Sequence, residues 1–345
     1  MHRRALLKAV AAGGVLATLG SPARAVPAGW REFEITYRVK LDTQHTPARL
    51  WLPVPQDALD YQRVIDLSWR SPAAVSLQWE GESRAPVVAA TWLDPSIARE
   101  IEINARVQTR DRSGFYPDAS RDELATYLRA TPSSPGDGIV LKRATEIVDA
   151  RTEPLDKAQA IYDWIVDNTF RRAETRGCGL GNIAFMLETG DMGGKCADIN
   201  SLFVGLARAA GLPARDFFGV RVADSKVTKS LGKSGDITKA QHCRAEVFIA
   251  GKGWLPVDPA DVRKVVLEEQ VPIDSDKVMA LRKRLFGNWE MNWVGFNYAR
   301  DFKLQGQVGP PLGFLMYPYA ETAEGTNDPL DPDHFAYTIA SREVI

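Results

Sequence analysis

The chain has 345 residues, of which 45% are hydrophobic and 25% charged, with a formal net charge of -1. That is an ordinary globular composition with room for more than one domain, and it lacks the basic field of a nucleic-acid binder. Nine Trp and twenty-one Pro favour a β-rich protein with many turns over a helical bundle. The first 25 residues read as a leader. Arg3 and Arg4 open it, an apolar stretch follows from Ala9 to Leu19, and Ala23-Arg24-Ala25 fits a small-x-small cleavage site. The apolar run is too short for a stop-transfer span. The expectation is a twin-arginine signal cut after Ala25, a periplasmic or secreted mature chain, and no transmembrane segment in it.

From residue 30 to 112 the pattern has period two. Phe33, Ile35, Tyr37 and Val39 alternate with polar residues, as do Leu50, Leu52 and Val54, then Val75, Leu77 and Trp79, then Ile101, Ile103, Ala105 and Val107. This predicts a β-sandwich-like domain that carries no catalytic constellation. Residues 113–137 are rich in Ser, Asp, Gly and Pro and read as a linker with one short helix from Arg121 to Leu128. Helices are predicted over Ile139–Ala150 and Leu155–Asn168, the second with Ala158, Ile161, Tyr162 and Ile165 on one face. The glycine-rich run Arg176–Asn182 lacks the Lys-Ser/Thr ending of a phosphate loop. Phe185, Met186 and Leu187 are expected in the core.

Gly193-Gly194-Lys195-Cys196 then leads into an apolar helix. Ile199, Leu202, Phe203, Leu206 and Ala210 mark one buried face, and Gly211 and Pro213 stop it. A thiol at a helix N-terminus is favoured as thiolate by the helix dipole. A strand is predicted from Asp216 to Val222. The polar stretch Ala223–Ala240 is either a flank of the binding site or a surface insertion. Two strands follow, His242–Ile249 and Trp254–Asp258, joined by a glycine turn. His242 and Asp258 are nearly equidistant from Ala250, so a hairpin would set them side by side. A glycine bulge would instead put them on opposite faces. If they meet, Cys196 is the nucleophile, His242 the base and acid, and Asp258 its orienter. His45 and His334 sit in loop-like contexts.

The motifs Gly-Gly-Lys-Cys-Ala-Asp at 193–198, His242-Cys243-Arg244-Ala245-Glu246-Val247 and Gly253-Trp254-Leu255-Pro256-Val257-Asp258-Pro259 resemble the bacterial transglutaminase-like superfamily from about 155 to 265. The resemblance implies an α+β, papain/transglutaminase-like catalytic core at 138–275, with the Cys helix packed on an antiparallel sheet, preceded by the β-sandwich-like domain. Its Cys, His and Asp fall on Cys196, His242 and Asp258. It implies a cysteine peptidase, amidase or acyltransferase working through a thioester on a protein or peptide substrate. The rival reading is a binding or scaffold protein that keeps the shell.

Gln241, Asn182 and Trp254 are candidates for the second oxyanion donor. Asp198 and Asn200 either line the site or serve the helix start, and Arg215 and Arg244 either bind a substrate carboxylate or form structural ion pairs. No cofactor is expected. A zinc site at Cys196, His242 and Cys243 is disfavoured, because Cys243 should point away from His242 on a strand. If Cys196 is free, Cys178 and Cys243 could bridge. The aromatic-rich segment 276–345 is expected to pack on the catalytic core, as a plain extension or as a substrate wall.

Overall fold

The structure, a computed structural model, describes residues 26–41, 47–59, 61–94, 96–117 and 119–344. Two five-stranded antiparallel sheets share one apolar core. The first runs in the order Gly235–Asp236, Ala336–Val344, Trp30–Lys40, Glu100–Arg110, Gln62–Arg70. The second runs Gly325–Asn327, Tyr319–Thr322, Ala48–Pro53, Ala85–Trp92, Ala74–Glu80. Alternation explains the packing: Phe33, Ile35, Tyr37 and Val39 of one sheet meet Leu50, Leu52, Val88 and Ala90 of the other.

The C-terminal segment is part of both sheets. Ala336–Val344 pairs with Trp30–Lys40 along nine positions, from Glu32↔Val344 to Lys40↔Ala336. Tyr319–Thr322 pairs with Ala48–Pro53. The segment also reaches the core around the helix that begins at Cys196, where Val278, Leu281, Leu285 and Met316 are buried. Residues 276–344 thus tie the two halves of the chain together.

The third sheet has four antiparallel strands in the order Gly253–Val257, Gln241–Ile249, Ala214–Arg221, Trp293–Asn297. The helix Cys196–Ala209 packs on it, flanked by the helices Gly138–Val148 and Pro154–Asn168. Cys243, Ala245 and Val247 face the helices, and Phe217, Trp289 and Trp293 form a separate aromatic cluster with Ala58 and Tyr61. This is the α+β, papain-like arrangement, preceded by a β-sandwich.

Two local expectations change. The Cys196 helix is not buried on one face only, since every residue from Cys196 to Arg208 is buried. The helix Ile183–Thr189 covers it closely, and a Cβ on Gly205 would lie 2.0 Å from Ile183 Cδ1. Phe185, expected in the core, is exposed on that covering helix, whereas Met186 and Leu187 are buried.

Candidate active site

The site begins with the turn before the helix. Asp198, in the first helical turn, accepts from the backbone N–H of Lys195, Leu180 and Gly181, each at 2.9 Å. One carboxylate therefore caps its own helix and ties it to the glycine-rich loop. The loop needs glycine there: Gly179 has φ +90° and a Cβ would lie 1.8 Å from Asp198 Oδ2. The Ala197 N–H donates to the Cys178 carbonyl at 2.9 Å, which sets Cys178 beside Cys196.

The hairpin register decides where His242 and Asp258 fall. Pairing runs from Ile249↔Gly253 to Ala245↔Val257, so three residues, Ala250–Lys252, form the loop. Continued by one step, this register sets Asp258 opposite Arg244, two positions from His242. A shift of two keeps both on one side of the ribbon. His242 Nε2 lies 2.7 Å from Asp258 Oδ2. That leaves Nδ1 for the Cys196 thiol, whose ionisation His242 favours. All three residues are buried.

Two residues not singled out for this role hold the pair. Asn200 donates from Nδ2 to the Cys243 carbonyl at 2.8 Å and to Asp258 Oδ1 at 3.1 Å, and its Oδ1 accepts from the Ala260 N–H at 3.1 Å. It sits one helical turn below Cys196, an i, i+4 spacing that was readable in the sequence. Asp261 lies 3.5 Å from His242 Nε2 and accepts from Arg221 Nη2 at 2.5 Å. Nothing in the sequence pattern pointed to this second carboxylate.

Electrostatics favour a thiolate–imidazolium pair. Hydrogen bonds from the Cys178 and Cys243 thiols hold the Cys196 thiol well below the ordinary thiol range, against burial and with the help of His242. Burial and Arg221 push His242 down, but Asp261 and Asp258 outweigh them and raise it. Burial and repulsion from Asp261 raise Asp258. Burial also opposes ionisation of Asp261, yet Arg221, His242, Lys264 and Arg244 hold its carboxyl low.

The three cysteines are free. Cys243 was expected to point away from His242, which left its relation to the Cys196 thiol open. Its own thiol contacts Cys196, because residue 243 faces the helix whose N-terminus carries that thiol. The Gln241 carbonyl, 3.3 Å from Cys178 Sγ, is the alternative acceptor for the single proton of the Cys178 thiol. His242, Asp258 and Asp261 bring three possible metal-ligand atoms within 4.8 Å of one another. Arg221 and Arg244 already stand against those two carboxylates, so the cluster is charge-compensated without an ion.

A cavity of about 460 Å³ opens over Cys196 and His242. Gln241 lines it, with its amide donating to the Thr238 carbonyl at 3.0 Å. Asn182 does not line it: its side chain caps the helix Ile183–Thr189. Trp254 is fully buried away from it, stacked under the Arg215 guanidinium. Arg215 pairs with Glu246 and Glu123, and Arg244 lies over Trp289 and Trp293, so both are structural cations. His334 is exposed and bonds Asp331 at 2.8 Å. His45 and the leader 1–25 fall outside the described residues.

The profile of the transglutaminase-like superfamily matches residues 142–259, the stretch that holds Cys196, His242 and Asp258. The chain belongs to this superfamily. An uncharacterized protein of Haemophilus influenzae is 36% identical over 370 positions, covering 98% of this chain and all of the relative. Among solved structures, a candidate cysteine protease from Cytophaga hutchinsonii shares the fold at a TM-score of 0.53 and 16% identity, over 91% of this chain and 99% of that one. The periplasmic domain of TgpA from Pseudomonas aeruginosa matches at a TM-score of 0.39 and 14% identity, over 71% and 92% of the two chains. Family and fold together support a papain-like enzyme class. No helix among the described residues is long and apolar enough to cross a membrane.

Proposed function

We propose that this transglutaminase-like protein is an exported cysteine enzyme that cleaves or transfers an acyl group from an amide. Cys196 is the nucleophile, His242 the base and acid, and Asp258 the orienter. The observation that carries this reading is the 2.7 Å contact of His242 Nε2 with Asp258, which leaves Nδ1 for the thiol. The thiolate attacks the amide carbonyl and a tetrahedral oxyanion forms. The first-turn N–H of Cys196, which has no acceptor within its own helix, is the first oxyanion donor. Gln241, at the cavity wall, is the candidate for the second. Collapse breaks the C–N bond, His242 gives its proton to the leaving amine, and a thioester remains. Water then releases an acid, or an amine releases a new amide. Export rests on the paired arginines, apolar stretch and cleavage site of residues 1–25.

The test is alkylation by iodoacetamide with the modified residue mapped by mass spectrometry, followed by hydrolysis and amine-incorporation assays on peptide mixtures. Wild-type protein is expected to react at Cys196, well below the pH at which a free thiol reacts. Cys196→Ala is expected to lose both the labelling and the activity. Undiminished labelling of that variant at Cys178 or Cys243, with activity retained, would refute the assignment.

A further inference from the structure

The chain as a whole is balanced, with 43 Lys and Arg against 44 Asp and Glu. The cavity over Cys196 is not. Among the described residues, seven Lys or Arg line it, and no Asp or Glu does. Four of the seven have acidic partners set outside the lining. Arg171 and Lys264 share Glu268, Arg176 meets Asp328, and Arg221 meets Asp261. The other three, Lys195, Lys233 and Lys239, have no ion-pair partner within 4.0 Å among the described residues, although the exposed Asp236 lies near the last two.

These three cations come from two separate segments. Lys195 immediately precedes the nucleophile position. Lys233 and Lys239 stand on the 223–240 stretch, which is fixed at the cavity by a short pairing of Gly235–Asp236 with Ala336–Val344. The wall contributed by the C-terminal segment is different in kind, formed by Tyr317, Leu330, Phe335 and Tyr337. The cleft therefore combines a surplus of cations with the aromatic and apolar side chains of the C-terminal segment. A pocket with one sign of charge and low-dielectric walls concentrates ligands of the opposite sign.

We infer that this cleft selects acidic peptides: substrates whose carboxylates lie beside the amide attacked by Cys196 and are met by Lys195, Lys233 and Lys239. The inference rests on Cys196 being the nucleophile, since attack on an amide is what makes the ligand a peptide and the charge surplus is what makes it acidic. The three lysines act as point charges rather than as a fixed fork, so the recognition is one of charge and tolerates variation in sequence.

The test compares iodoacetate with iodoacetamide on the mature protein. In each, the thiolate displaces iodide and a C–S bond forms, so only the charge of the reagent differs. The ratio of the two rates at Cys196, divided by the same ratio for glutathione, is expected to be raised about tenfold at low salt. It should fall towards one at 1 M salt, where the screening length is about 3 Å. Lys233→Gln/Lys239→Gln, two exposed substitutions, is expected to lower this ratio several-fold, and any change in the thiolate population cancels because both reagents meet the same thiolate. Hexaglutamate should protect Cys196 from iodoacetamide at lower concentration than hexaglutamine.

A ratio equal to that of glutathione overturns the inference and leaves the nucleophile standing. So does a raised ratio that persists in the double variant, because the imidazolium of His242 then accounts for it. Protection by polyphosphate but not by hexaglutamate likewise overturns the peptide assignment. Failure of both reagents to modify Cys196 overturns the nucleophile itself.

Discussion

Replacing Asn200 by alanine tests whether the pair His242–Asp258 is held from beneath by the cysteine helix. Asn200 is wholly buried and serves three partners: the Cys243 carbonyl, Asp258 Oδ1 and the Ala260 N–H. Ala260 is in the first turn of the helix Pro259–Glu268, so its N–H has no intrahelical acceptor. Truncation leaves that N–H unsatisfied at about 1–3 kcal/mol, and removes a hydrogen bond to a carboxylate worth about 1.5–3 kcal/mol. The expected loss of stability is therefore about 3 kcal/mol, read as a shifted midpoint in urea at constant slope.

A purely structural asparagine would stop there. Asn200 is expected to move the pH profile as well. Without its donor, the Asp258 anion is less stabilised and supports the His242 imidazolium less. The imidazolium in turn supports the Cys196 thiolate less, so the rise of iodoacetamide labelling with pH shifts to higher pH. A loss of about 1.4 kcal/mol of support at Asp258 corresponds to roughly tenfold in rate at fixed pH. Asn200→Ala within 1 kcal/mol of wild type and with an unmoved labelling profile would refute the reasoning.

Two further outcomes follow from buried charge and backbone. Glu246 lies buried between Arg112 and Arg215, and each guanidinium is itself stacked on aromatic rings, Tyr61, Tyr116 and Trp289 for Arg112 and Tyr127, Trp254 and Tyr298 for Arg215. Glu246→Ala strands the buried Arg112 cation and leaves Arg215 with Glu123 alone, and should cost roughly 3–5 kcal/mol in chemical denaturation, with a change below 1 kcal/mol arguing that the cages suffice. Gly179→Ala puts a Cβ into the Asp198 carboxylate at a residue with φ +90°. It should cost at least about 2 kcal/mol and slow Cys196 alkylation, and wild-type alkylation kinetics would show that the glycine loop does not position the thiol.

The parts of this protein governed by local pattern were legible in the residues. Period-two alternation marked the strands Trp30–Lys40, Ala48–Pro53, Ala74–Glu80 and Glu100–Arg110, and 3.6-residue periodicity marked the helices Gly138–Val148 and Pro154–Asn168. The motif order brought Cys196, His242 and Asp258 forward as one set before any geometry was known. Trp254 and Asn182 were misplaced as oxyanion candidates because a residue type says what a side chain can donate, not which face of the chain it ends on.

The remaining features are long-range. Whether His242 and Asp258 share a face depended on a three-residue hairpin loop, a difference of one residue that composition does not encode. The role of Asn200 needed the packing of one helix on the end of a distant strand. The three thiols converge because residue 243 faces the helix that begins at residue 196. The cationic cavity gathers lysines and arginines from six stretches between residues 171 and 264 of a nearly neutral chain. Sequence alone determined many of the elements and which residues are candidates for the chemistry, since those follow from side-chain period and type. Tertiary structure decided which of these residues meet and what charge surrounds them, because contacts between distant segments are fixed only when the sheets and helices pack.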